Sequence, residues 1–396
     1  MSRIFSICTC LIVITSAVAQ NPLTDKLVYQ VPGMKDVKVR SGVEYRKVND
    51  TSLHFDIYYP KDYSTGKPLP LVMFNNGVGA MNMPEWNVYR DWSKLVAANG
   101  MIAITHQART GGRALEDDEA LTDYILAHSS ELGIDKSKIA MYTCSANSIA
   151  GARMAFKTRP QAFKVLVVYY GVIDSLGELR QNLPMLLVRT GMDMPGGNVA
   201  MERFIQEAYA QDIPIETINY PEGVHAFDIF QPGEKSEDII KRTVKFFLDN
   251  LQRPARDPAF LITNRNFVWL MGHGQSDRAI AEFRKMAARC KTDSAYLFRY
   301  RQTIREQSIN ANAYSLLQNQ KKQEALATFK LMVEYYPESA NAYDGLADAY
   351  EALGNKEEAV NNAKKALAML VTSKDLDPEF KKAIERSAQG KIERLK

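Results

Sequence analysis

The sequence predicts an α/β protein in two parts: a doubly wound, mostly parallel sheet over residues 20–254, followed by an all-α helical repeat over residues 255–396. Three observations carry this reading. Apolar strand-like runs alternate with amphipathic helical stretches up to about Leu251, the pattern of strands joined by crossover helices. Strand signals then stop near Gln252-Arg253-Pro254-Ala255. Beyond that point small and aromatic residues recur at a fixed interval, Ala325 and Ala359 lying 34 residues apart (359 − 325). A chain of 396 residues is long enough for two domains that each bury a core.

The first nineteen residues have the form of a signal peptide. Arg3 supplies a basic start, Ile4 to Thr15 an apolar run, and Ala17-Val18-Ala19 a small-x-small cleavage site before Gln20. The run is shorter than the roughly 20 residues of a transmembrane helix. The expectation is therefore export, to a periplasm or beyond, without a membrane span. Lys plus Arg exceed Asp plus Glu by 50 − 46 = 4, too slight a balance to argue for a nucleic-acid or membrane-surface partner. Cys8 and Cys10 leave with the signal. Cys144 and Cys290 then remain, in different domains, so no disulfide framework is expected despite the oxidising compartment.

Val37 to Val48 and Leu53 to Tyr59 alternate apolar and polar residues and read as two antiparallel edge strands joined near Asn49-Asp50. Leu69 to Phe74 is a continuous apolar run, as in strands buried on both faces. Pro84 to Ala98 is helical with Gly100 as its stop, Met101 to Thr105 is a further buried strand, and Glu116 to Ser130 a further helix. Lys164 to Tyr170, Met185 to Arg189 and Ile213 to Tyr220 supply three more strands, with a helix at Val199 to Gln211. The amphipathic helix Ser236 to Leu251 closes the domain.

Between them lies Lys138 to Phe156, KIAMYTCSANSIAGARMAF: a short strand, a sharp turn through Thr143-Cys144-Ser145-Ala146-Asn147, and a helix with small residues Ala150, Gly151 and Ala152. A serine at such a turn is pushed out above the sheet, and the amide of the next residue can face an oxyanion. Ser145 is the candidate nucleophile, and Ala146 supplies the candidate amide. Glycines usually flank such a serine at two residues before and two after; here Thr143 and Asn147 stand in their places. Cys144 is a rival nucleophile, but it sits one residue early on the turn and reads as a small buried side chain.

Ligands of doubly wound sheets bind at the carboxyl ends of the strands, so those ends are where chemistry is sought. Leu71 to Phe74 runs into Asn75-Asn76-Gly77-Val78-Gly79, a loop able to present a second amide donor, at Gly77 or Val78. Met185 to Arg189 runs into Thr190-Gly191-Met192-Asp193, and the last strand runs into Pro221-Glu222-Gly223-Val224-His225. The order Ser145, Asp193, His225 thus puts a hydroxyl, a carboxylate and an imidazole at successive strand ends. A serine hydroxyl attacks well only when a base takes its proton, and a carboxylate holds that base in the right tautomer. Of the five histidines, His54 lies in a strand, His128 in a helix, and His273 in the C-terminal part. His106 follows a buried strand and is a candidate to line the site, with Asn76 and Cys144, but it precedes the serine. Asp174 is the second candidate acid. Neither zinc-ligand spacing nor a Gly-rich phosphate loop is present, so no metal or cofactor is expected.

From about Val37 to Leu251 the chain resembles an α/β-hydrolase of the dienelactone hydrolase-like group. The resemblance rests on KIAMYTCSANS in place of the group's strand-G-x-S-x-G-G, on LLVRTGMDMPGG with its acid, and on YPEGVHAFD with its histidine. It implies Ser145 as nucleophile, Asp193 as acid, His225 as base and the Ala146 amide in an oxyanion hole. The substrate implied is a small acyl compound, a carboxylic ester before a peptide. A scaffold that has lost catalysis and acts as a binding protein is the alternative.

In the last third, Tyr343, Leu346, Ala347, Tyr350, Gly354, Ala359 and Ala366 resemble the W-x-x-L-G-x-x-Y…A pattern of tetratricopeptide repeats. Ala325, Phe329 and Pro337 keep the later half of a preceding unit, and Trp269, Gly274, Ala279 and Phe283 fit a degenerate earlier one. The Lys- and Glu-rich stretch from Pro378 reads as a polar cap. Such stacks imply a protein or peptide partner, or self-association.

Overall fold

A computed structural model describes residues 24–64, 66–75, 83–173, 175–252, 262–372 and 376–395. The signal-like Met1 to Ala19, the loop residues Asn76, Gly77 and Val78, the alternative acid Asp174, and Arg253 to Ala255 at the expected boundary lie outside them.

The strands β1 (Lys38–Val48) and β2 (Thr51–Tyr59) form an antiparallel hairpin, with Asn49 in its turn at φ 52°. Asparagine enters this left-handed region more readily than most residues, which suits it to the turn. Of these two strands β1 alone is at a sheet edge, because β2 also pairs antiparallel with β4 (Ile102–His106). Next, β3 (Leu69–Asn75) pairs parallel with β4 and with β5 (Ile134–Cys144), and β5 pairs parallel with β6 (Val165–Tyr169). With β7 (Met185–Thr190) and β8 (Ile215–Tyr220) the sheet has eight strands in the order β1-β2-β4-β3-β5-β6-β7-β8. This is the mostly parallel, doubly wound sheet that the strand pattern predicts.

The continuous apolar runs are explained by burial on both faces. Val72, Phe74, Ala140, Tyr142, Val165 and Val167 share a core with Trp92 and Val96 of α1 (Asn87–Ala98) and Ile240 and Phe247 of α6 (Glu234–Gln252). The alternate residues Leu71, Met73, Ile139, Met141, Leu166 and Val168 are equally buried. Near them, Thr122 of α2 (Arg113–Ala127) brings its hydroxyl to 3.8 Å from the Met73 sulfur. A further helix, α3 (Ser148–Arg153), follows β5; α4 (Pro195–Ala210) joins β7 to β8; and α5 (Phe227–Phe230) is a single turn whose four residues are too few to show periodicity in the sequence.

The C-terminal part is helical: α7 (Asn264–Gly272), α8 (Ser276–Thr292), α9 (Ser294–Ile304), α10 (Glu306–Gln318), α11 (Lys322–Tyr335), α12 (Ala340–Ala352), α13 (Lys356–Thr372) and α14 (Pro378–Leu395). Successive pairs α10/α11 and α12/α13 start 34 residues apart, from 306 to 340 and from 322 to 356. Close helix crossing depends on small residues: a Cβ on Gly345 of α12 would lie 2.2 Å from the Phe329 ring of α11. The stretch from Pro378 does more than present a polar face. Its helix α14 buries Ile384, Ala388 and Lys391, and Lys391 pairs with Asp344 (2.8 Å) and Asp348 (2.7 Å) of α12.

The described residues fall into two compact units. Those within 24–173, 186–199 and 217–252 form one; those within 175–185, 200–216 and 262–395 form the other. Inside the second unit Glu178 pairs with Arg278, and the Thr263 hydroxyl donates to Asp212.

Candidate active site

The turn after β5 is tightly constrained. Cys144 is extended (φ −146°), and Ser145 then takes φ 51°, a left-handed conformation that costs a non-glycine residue about 1–3 kcal/mol. The chain continues through the tight turn Ser145–Asn147 into α3. This strain is held by hydrogen bonds. Thr143 Oγ1 donates to the Asn147 carbonyl (3.0 Å), as does the side-chain amide of Asn75 from the end of β3 (3.4 Å). Ser148 Oγ accepts the Val172 amide (2.8 Å) and lies 2.5 Å from the Ser145 carbonyl oxygen.

Two of the larger side chains at the turn meet glycines across from it. Thr143 stands where the first glycine of G-x-S-x-G-G is expected, and it faces Gly151 on α3, where a Cβ would come within 2.7 Å of the Thr143 Cβ. Ser148 stands where the last is expected, and it faces Gly171 just past β6, where a Cβ would come within 2.3 Å of the Ser148 hydroxyl oxygen. The space is thus provided by the partner of each larger side chain. Reading the turn alone finds only the loss, because Gly151 and Gly171 lie 8 and 23 residues beyond the side chains they face.

The structure brings Ser145, His225 and Asp193 into one line. Ser145 Oγ is 3.0 Å from His225 Nε2, and His225 Nδ1 is 2.7 Å from Asp193 Oδ2. With Nδ1–H donating to the carboxylate, Nε2 is left to accept the serine proton, a tautomer assigned from the hydrogen bonds. Asp193 is fixed in turn: its Oδ2 accepts the Thr190 hydroxyl (3.0 Å) and its Oδ1 the Met194 amide (2.7 Å). The acid turn is joined to the histidine loop by backbone bonds from Gly191 N to the Tyr220 carbonyl (2.8 Å) and from Met192 N to the Gly223 carbonyl (2.9 Å). Gln231 braces the same loop, accepting from Val224 N and donating to the Glu222 carbonyl. Asp193 is only 8 % exposed and His225 42 %, so the carboxylate is shielded while the imidazole meets solvent.

Ala146 follows the serine at an exposed position, and the second amide expected from Gly77 or Val78 lies outside the described residues, as does Asn76. Cys144 is buried, 3.8 Å from the Tyr89 hydroxyl, and burial pushes its thiol up to about 12. A thiol so raised carries almost no thiolate near neutrality, which leaves the Ser145 hydroxyl as the candidate nucleophile of this turn. His106 is sealed at 0 % exposure against Asp118 (2.6 Å) and does not line the cavity beside Ser145.

That cavity, about 180 Å³, is lined by Ser145 and His225 together with aromatic residues. Its wall contains three residues to which the sequence reading gave no role, Trp92, Tyr170 and Asp228. The Tyr170 ring lies 4.7 Å from that of His225, and its hydroxyl donates to Asp228 Oδ1 (2.8 Å). Trp92 Nε1 donates to Asp228 Oδ2 (2.8 Å). Burial raises the Asp228 carboxyl, opposed in part by these donors. The only sequence signal was the position of Asp228 three residues after the histidine in HAFD. Among the described residues no group of three His, Cys, Asp or Glu side chains could hold a metal ion.

No protein-family model matches this chain, and no curated protein matches it. Solved structures do resemble it. Esterase 2 of Thermogutta terrifontis, phosphoramylated by tabun, is similar at 18% identity and a TM-score of 0.44, over 57% of this chain and 98% of that one. A fungal esterase of Rhizomucor miehei gives 13% identity and a TM-score of 0.45, over 54% and 84%. A protein of Bacteroides ovatus assigned as a dipeptidyl aminopeptidase IV gives 16% and 0.44, over 54% of this chain. This chain spans only 36% of that last protein's length.

Proposed function

We propose that this protein is a serine hydrolase that cleaves a carboxylic ester or related small acyl substrate through an acyl-enzyme. The observation that carries this reading is the continuous line from Ser145 Oγ to His225 Nε2 and from His225 Nδ1 to Asp193 Oδ2, at 3.0 and 2.7 Å, with the serine in a strained left-handed turn. His225 takes the serine proton as Oγ attacks the acyl carbon, and Asp193 stabilises the imidazolium that results. The Ala146 amide receives the oxyanion, and His225 then returns the proton to the leaving group. Water repeats the sequence on the acyl-enzyme. A strained serine kept in register with a base and an acid favours this over a decayed scaffold that only binds.

In the same reading the chain is exported by its first nineteen residues, belongs with the dienelactone hydrolase-like group, and carries tetratricopeptide-type repeats that engage a protein or peptide or a second copy. The 34-residue helix register supports the repeats. The test is turnover of p-nitrophenyl acetate by the wild type, Ser145→Ala and His225→Ala. Each variant is expected to lose several orders of magnitude in kcat while keeping the parent's melting temperature. Equal turnover by all three would refute the assignment.

A further inference from the structure

We propose that the cavity beside Ser145 holds one neutral aryl group of the ester. This rests on the hydrolase reading and names the substrate class of the same site. At about 180 Å³ the cavity is close to the roughly 150 Å³ of an apolar cavity that binds benzene, so it takes a single ring and a short link but not a long acyl chain. Its walls are themselves rings: Trp86, Tyr89, Trp92, Tyr142, Tyr170 and Phe230. They already stand in tilted contact, with centroids 5.3 Å apart for Trp92 and Tyr142 and 6.3 Å for Trp86 and Tyr89. A ligand ring can extend this array with edge-to-face contacts that a saturated ring of the same size cannot make.

The few polar groups in the wall narrow the choice further. Among the described residues no lysine or arginine lines the cavity, and the Asp228 carboxyl is occupied by Trp92 and Tyr170, so an anionic substituent has no partner there. Because Ser145 and His225 share the lining, the ring sits next to the reacting carbonyl, on its acyl or its alcohol side.

The experiment compares kcat/KM for methyl phenylacetate and benzyl acetate with their saturated counterparts, methyl cyclohexylacetate and cyclohexylmethyl acetate. Covalent labelling of Ser145 by a fluorophosphonate confirms an active enzyme beforehand. An aryl preference of about tenfold is expected for one pair, the pair identifying the acyl or alcohol side. Trp86→Ala, or Phe230→Ala if the first fails to fold, should shrink that ratio. Ratios near one for both pairs, with Ser145 labelled, would overturn the proposal and leave the hydrolase reading standing. If Ser145 takes no label, the hydrolase reading falls and the cavity is probed without catalysis. Trp86 and Trp92 are two of the chain's three tryptophans, so their fluorescence reports on this site. Saturable quenching of Ser145→Ala by 4-phenyl-2-butanone but not by 4-cyclohexyl-2-butanone upholds the aryl site; no difference between the two ketones overturns it.

Discussion

Two histidine–aspartate pairs in this protein have nearly the same length and opposite settings. His225 and Asp193 meet at 2.7 Å with the imidazole 42 % exposed and a serine hydroxyl on its far nitrogen. His106 and Asp118 meet at 2.6 Å with both side chains fully buried, the carboxyl raised by desolvation. Asp193 and His225 lie in loops just past β7 and β8, whereas His106 ends β4 and Asp118 lies in α2. What separates a catalytic candidate from a structural pair is therefore neither the contact nor the residue types but the third group and the access. Asp117, next to Asp118 and equally buried, is met by Arg46 (2.7 Å) and Arg109 (2.9 Å), so this end of α2 is stabilised by cations rather than arranged for proton transfer.

The comparison can be pressed by substitution. Asp193→Asn should lower kcat by about 10⁴-fold, because the amide stabilises the wrong tautomer of His225, and should leave the melting temperature nearly unchanged. His106→Ala should do the reverse. Removing one partner of a buried pair costs about 3–5 kcal/mol, to be read as a fall in the denaturation midpoint, with turnover on the folded fraction close to the parent's. A loss of kcat at full stability for His106→Ala would place it in the chemistry and erase the distinction.

Smaller effects sharpen the account of the turn that holds the serine. Gly151→Ala should cost about 1–3 kcal/mol by overpacking against Thr143, and the double variant Gly151→Ala/Thr143→Gly should recover much of it. Additive losses in the denaturation midpoints would show that the two positions do not compensate. The smallest expected effect is a chemical one. Cys144, buried and with its thiol pushed up to about 12, should resist iodoacetamide at pH 8 in the native protein and react only after unfolding, as followed by peptide mass.

The strand order of chemistry was legible because the sequence presents it locally: Ser145 after an apolar run and a break, Asp193 and His225 each just past another. Periodicity likewise yielded the paired helices, since α10/α11 and α12/α13 start 34 residues apart and small residues such as Ala325 and Ala359 keep that interval. What could not be read depends on pairs distant along the chain. Gly151 and Gly171 compensate Thr143 and Ser148 only once α3 and the end of β6 are folded against the turn. The His106–Asp118 contact joins β4 to α2, and the Trp92–Asp228 bond spans 136 residues. Such contacts leave no period and no motif. The place of β2 inside the sheet was missed for the same reason, since alternation marks a half-exposed strand without naming its neighbours.

The most direct test of the central claim is labelling of the protein by a fluorophosphonate, read by intact mass and compared with Ser145→Ala and Cys144→Ala. One adduct on the parent and on Cys144→Ala, absent from Ser145→Ala, is the predicted result. An adduct that persists in Ser145→Ala, or a folded parent that takes none, would contradict the account.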